Sequence, residues 1–152
     1  MKNFSVRLLP LLFCGIVLSG CDKNEDIALE SLPQESRTFI STYFENASAN
    51  QIEKKKEEPR YRVELNTGFT LYFYGEGGCQ CIDGNGSGIP QGAVYALLPG
   101  SITTYVYANY PQTTITLIRI EDYGYYLELG TRPVVALKFD REGGVITLTY
   151  RS

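Results

Sequence analysis

The sequence predicts an α+β fold: a tandem repeat of two units, each a helix followed by antiparallel strands covered on one face. Three observations carry this reading. One set of residues recurs in the same order in both halves of the chain. In each half, apolar residues first fall at helical spacing. They then alternate with polar residues, the pattern of a sheet wet on one side.

The recurrence begins with Leu32-Pro33 and Leu98-Pro99. Six and seven positions after each proline come an aromatic and a β-branched residue, Phe39-Ile40 and Tyr105-Val106. Each stretch closes on an aromatic, Phe44 and Tyr110. Tyr61 to Leu65 then matches Tyr125 to Leu129, and Leu71-Tyr72-Phe73 matches Leu137-Lys138-Phe139. A glycine pair follows each time, Gly77-Gly78 and Gly143-Gly144. The units are read as 27–91 and 92–152, together one domain.

In the first unit, Pro33 suits the opening turn of a helix, and Ser31 with Gln34 resembles a capping box. Phe39, Ile40, Tyr43 and Phe44 form its apolar stripe. The charged run Glu53 to Glu58 reads as a solvated, edge-protecting strand or turn before Pro59. Tyr61, Val63 and Leu65 alternate with Arg62 and Glu64; Phe69, Leu71 and Phe73 alternate with Thr70, Tyr72 and Tyr74. Asn66-Thr67-Gly68 between these runs signals a hairpin. Cys79 and Cys81, at i and i+2 on a strand, would share one face. They read as two half-buried thiols or as a strained or intermolecular disulfide.

The glycines from Gly75 to Gly88 read as turns and a linker between units. No Gly-Lys-Ser/Thr follows them, so they are not a phosphate loop. Asp83-Gly84-Asn85-Gly86 lacks the later glutamate of a calcium loop. The second unit repeats the helix with Ile102, Tyr105, Val106 and Tyr110, stopped by Pro111. Its strands alternate Tyr125, Leu127 and Leu129 with Tyr126 and Glu128, then Val135, Leu137 and Phe139 with Ala136 and Lys138.

The N-terminus carries an address. Lys2 and Arg7 precede an apolar run from Leu8 to Leu18. That run of about 11 residues is too short to span a bilayer, and its flanks are those of an export signal. It closes as Leu18-Ser19-Gly20-Cys21, which resembles the bacterial lipobox. The resemblance implies cleavage after residue 20 and acylation of Cys21, whose buried methylenes anchor the chain to a membrane. Residues 21–26 would form the lipidated start and an acidic tether. Asp22 to Asp26 is similar to the stretch that directs some lipoproteins to the cell surface. The expected location is the cell envelope, anchored to the outer membrane on its periplasmic or outer side.

Composition narrows the chemistry. The formal charge is −3, and the export signal removes only basic side chains, so nucleic acid is an unsuitable partner. There is no histidine. That excludes Ser-His-Asp and Cys-His catalysis and His-bearing zinc sites. The reading is a non-enzyme with no metal and no cofactor.

The Leu-Pro helix starts, the Tyr110-Pro111 helix end and the paired strand motifs together resemble the PepSY-like envelope proteins, whose fold is related to that of β-lactamase inhibitor protein. The resemblance covers about residues 27–150. It implies one continuous antiparallel sheet shared by both units, with helices on one face, and it brings no catalytic residues with it.

The unusual component is tyrosine, 12 in all. Tyr72, Tyr74 and Tyr126 should share the uncovered face with Arg62, and Tyr and Arg dominate protein-binding hot spots. The expected role is a lipid-anchored binding module for an envelope protein or peptide, including inhibition of an envelope enzyme. Glycan or small-ligand binding and a spacer role in an envelope assembly are the alternatives.

Overall fold

The computed structural model describes residues 24–152. The expected export signal and Cys21 lie outside the described residues. Nine antiparallel strands form one sheet in chain order. They are β1 (Glu25–Asp26), β2 (Ala49–Lys54), β3 (Tyr61–Leu65), β4 (Thr70–Phe73), β5 (Cys79–Asp83), β6 (Ile115–Glu121), β7 (Gly124–Leu129), β8 (Val134–Asp140) and β9 (Val145–Arg151). Helix α1 (Gln34–Tyr43) follows β1, while α2 (Gln91–Leu97) and α3 (Gly100–Asn109) lie between β5 and β6.

The alternation read from sequence sets the core. Ile52, Val63, Leu71, Ile82, Ile118, Leu127, Leu137 and Leu148 are successive cross-strand neighbours from β2 to β9. All but Leu148 are buried. Burying an aliphatic side chain contributes about 1.5–3 kcal/mol, so this row ties both units into one interior. The units meet where Ile82 of β5 faces Ile118 of β6.

The helices dock in matching ways. Phe39 of α1 meets Phe73 edge to face at 6.0 Å, and Tyr105 of α3 meets Phe139 edge to face at 5.6 Å. Both helices end by the same device, Phe44 N–H donating to Ile40 O and Tyr110 N–H donating to Val106 O. The glycine pairs have a packing reason. Buried Ser36 Oγ donates to the Gly77 carbonyl at 2.9 Å. Ser101 Oγ donates to the Glu142 carbonyl at 3.2 Å in the other unit. Gly77 and Gly143 have φ of +114° and +89°, and a Cβ there would strike Pro33 Cβ at 2.8 Å or Ser101 Oγ at 2.0 Å. Only glycine allows so close an approach of turn to helix.

Three expectations are corrected. The capping box does not form: Pro33 is the N-cap of α1, without a side-chain cap bond, and Ser31 closes a separate 3-10 turn. The tether is shorter than read, because Glu25 and Asp26 pair with Lys54 and Glu53 of β2. Backbone pairing at a sheet edge needs no apolar side chain. The glycine stretch from Gly75 to Gly88 is more than turns and a linker, since β5 lies inside it, and an unread helix, α2, with Ala93 and Val94 buried, follows it.

The row makes a direct prediction. Ile118→Ala should lower stability to urea by about 2–5 kcal/mol, the range for a truncated core aliphatic. Leu117→Ala, one residue away on the wet face, should cost less than half as much.

Candidate functional site: the uncovered sheet face

The face opposite the helices is built from the residues between the core positions. One row crosses it from β2 to β9: Glu53, Arg62, Tyr72, Cys81, Arg119, Tyr126, Lys138 and Thr147. The row beside it holds Glu64, Thr70, Asp83, Leu117, Glu128, Ala136 and Thr149. Among the described residues no helix covers these rows, because α1, α2 and α3 pack on the other side, against the aliphatic row.

Tyr72 and Tyr126 lie on the same row, half-buried, with Cys81 and Arg119 between them. Lys55 Nζ stands 5.6 Å from the centre of the Tyr72 ring, and the Arg119 guanidinium stands 4.9 Å from that of Tyr126. Such contacts contribute about 0.5–1 kcal/mol at exposed sites. Tyr126 also donates from its hydroxyl to Glu128 Oε1 at 2.7 Å, and Arg151 pairs with the same carboxylate. Burial, and then the bond to Glu128, raise the Tyr126 pKa above that of a free phenol. Arg62 pairs with Glu64 and, at 3.5 Å, with Glu53. Its bond to Tyr72 is the main reason its pKa is raised further.

The arginines of the face are thus matched by carboxylates, while Lys138 stands over the Tyr123 ring. Arg119 Nε lies 2.7 Å from Glu121 Oε1. Between Lys55, Tyr72, Gln80, Cys81 and Arg119 lies an open depression of about 340 Å³. Among the described residues no cluster of His, Cys, Asp and Glu could hold a metal ion.

The expected site residues divide. Arg62, Tyr72 and Tyr126 come together on one row. Tyr74 does not join them. It sits past the end of β4, beside Glu121, Asp122 and Arg141 in a separate depression of about 270 Å³. Burial first, and then nearby Asp122 and Glu76, raise its pKa. Arg119 and Arg151 were missed by the sequence reading, and Lys55 was read only as part of a solvated charged run; Arg119 was legible in the alternation of Ile118-Arg119-Ile120.

Of the cysteine readings, the shared face is corrected. Both thiols are free and buried, and they do not share a face. Between β4 and β5, Tyr72 faces Cys81 but Phe73 faces Cys79. The extra residue, Gln80, is a bulge, and a bulge reverses the alternation beyond it. Cys79 therefore joins the core cluster, while Cys81 lies on the row of Tyr72 and Arg119. Opposed faces leave no path for a disulfide. Gln80 secures the bulge by donating from Nε2 to the Ile120 carbonyl at 2.8 Å. Burial pushes the Cys81 thiol up to about 12, an effect that Arg119 partly offsets. Burial raises Cys79 as well.

A family model described as "Putative beta-lactamase-inhibitor-like, PepSY-like" matches the chain twice, over residues 20–80 and 87–147. The chain belongs to the PepSY-like family. Among solved structures, it is similar to a candidate periplasmic protein of the DUF2874 family from Bacteroides vulgatus, at 26% identity and a TM-score of 0.74, covering 86% of this chain and 99% of that one. It is similar to a second candidate periplasmic protein from the same organism, described as of unknown function, at 26% identity and a TM-score of 0.71, covering 82% and 99%. A third, a candidate calcium-regulated periplasmic protein from Bacteroides thetaiotaomicron, shares the fold at 24% identity and a TM-score of 0.74, covering 86% and 99%. No curated protein matches the chain.

Thiol chemistry tests the bulge. Iodoacetamide at pH 8 should label Cys79 and Cys81 at least tenfold more slowly in the native protein than in urea, since only the thiolate reacts. Stability should also fall as pH rises from about 9 towards 12. There the fold retains the Cys81 proton that the unfolded chain has lost.

Proposed function

We propose that this chain is an envelope-tethered, non-catalytic binding module whose uncovered sheet face takes a protein or extended peptide. The observation that carries the reading is the row Arg62–Tyr72–Cys81–Arg119–Tyr126. It sets two half-buried phenols, each held by a cation, on a rigid sheet over which, among the described residues, no helix lies. Tyrosine offers large contact area with little rotamer entropy to lose, and the bonds to Arg62, Arg119 and Glu128 orient the rings beforehand. The lysine and guanidinium above the rings occupy the surfaces a sugar would stack on, which favours a peptide over a glycan. The paired acids and bases favour a partner read by matched charges rather than by net charge.

An inhibitory role towards an envelope enzyme is supported by the family description and by this polar, aromatic face. An envelope location is supported by the periplasmic descriptions of the two Bacteroides vulgatus relatives and by the lipobox-like end of the leader. With β1 starting at Glu25, only Asp22 to Asn24 separate Cys21 from the sheet, at most about 11 Å of chain. An acylated Cys21 would hold the domain against the membrane surface. The chain should accordingly sediment with membranes, and Cys21→Ser should move most of it to the soluble fraction.

The binding test is affinity capture from envelope extracts. Tyr72→Ala with Tyr126→Ala should weaken partner recovery at least tenfold, because truncating one hot-spot residue costs about 2 kcal/mol or more. Tyr95→Ala, exposed on α2, should leave recovery unchanged. Unaltered recovery by the folded double variant would overturn the assignment of the face.

A further inference from the structure

The two ends of the sheet are built differently. At the β2 end, β1 pairs with Glu53 and Lys54, and Lys55, Lys56, Glu57, Glu58 and Pro59 follow at once. Charge and proline guard an edge against further pairing. At the other end β9 is seven residues long. It holds no proline and a single charge, Arg151 at its end, which pairs with Glu128 of its own sheet, and among the described residues no strand pairs with its outer side. Val145, Ile146 and Tyr150 are 43%, 51% and 67% exposed, three of the most exposed large apolar residues in the fold.

The internal repeat shows what an edge of this kind accepts. Phe73 faces Cys79 and Leu71 faces Ile82, as Phe139 faces Val145 and Leu137 faces Leu148. Each pair of strands carries a one-residue bulge at the same point, Gln80 in β5 and Ile146 in β9. So β9 is the counterpart of β5. The outer side of β5 is filled by an antiparallel strand, β6, which sets Ile118 on Ile82. Ile82 is wholly buried, whereas its counterpart Leu148 is only half-buried. Among the described residues nothing fills the same position in the second unit.

We propose that a second copy of this chain fills it, with β9 pairing antiparallel to β9 about a two-fold axis at Leu148. Read backwards against itself, the strand is self-complementary. Leu148 meets Leu148 and Thr147 meets Thr149, the same three-residue span over which β5 pairs with β6. Leu148 and Tyr150 lie on the helix side, with Leu137 and Val135, and the two threonines lie on the uncovered face, with Lys138 and Ala136. Leucine therefore meets leucine on one side and hydroxyl meets hydroxyl on the other. The β1–β2 end, short and flanked by charge and proline, blocks head-to-tail growth, so association closes at two copies. The pairing also makes the uncovered faces of both copies continuous, doubling the binding surface.

The test uses the full chain exported with its own leader in Gram-negative cells. One tagged copy carries Thr147→Cys and a differently tagged copy carries Thr149→Cys. Opposed residues in a strand pair lie within disulfide reach, about 4.5–5.5 Å between Cα atoms. Treatment of intact cells with copper–phenanthroline should give a reducible species containing both tags. Thr147→Cys with itself should give none. Adding Tyr150→Lys to both copies should cut the yield at least tenfold. Leu148→Cys in both tagged copies should report the same contact at the axis and guards against a misfolded variant. Absence of the mixed species in both pairs, cross-linking to a different protein, or a ladder of sizes insensitive to cysteine position would each overturn the proposal.

Discussion

The contact on which the rest depends is the antiparallel pairing of β5 with β6, where Ile82 faces Ile118. Each unit alone holds one long helix and four or five strands, too little to exclude water from its own apolar side. Joined there, eight aliphatic residues run in a single row beneath the helices. The small clusters around Phe39–Phe73 and Tyr105–Phe139 become the two ends of one interior. Without that junction each unit would expose an edge strand as well as half a core.

The same strand geometry produces the functional face. Alternation sends one residue in two away from the helices, so a core this regular creates an equally regular outer surface. The bulge at Gln80 modifies this at one place. It sends Cys79 inward and Cys81 outward, and so sets a small, buried thiol between Tyr72 and Arg119. A larger residue at 81 would fill the depression in which those side chains converge. A matching bulge at Ile146 bends β9 in the same way, so its edge has the shape that β5 offers to β6.

Much of this was legible in the sequence, for a physical reason. The hairpins β3–β4 and β7–β8 are buried on one side only, and their apolar residues keep strict alternation. Helices α1 and α3 carry wide aromatic stripes after Leu-Pro. Strands β2 and β6 were not read as elements, because each carries a bulge, near Asn50 and Thr116, that breaks the alternation. Helix α2 hides in a glycine- and proline-rich stretch, and its short run buries only Ala93 and Val94. Of the site, Arg62, Tyr72 and Tyr126 followed from alternation alone. The separation of Tyr74, the split of the two thiols and the place of Arg119 depend on register, which a bulge shifts without marking the local sequence.

Native-state hydrogen exchange at the amides of Leu71, Ile82, Ile118 and Leu127 addresses the shared interior most directly. If the two units stand or fall together, these four amides exchange only through global unfolding. They then show one common opening free energy, with equal dependence on added urea. Separate values for Leu71 and Ile82 against Ile118 and Leu127, with a smaller urea dependence in one pair, would mean that one unit opens while the other stays closed. That result would contradict a common core.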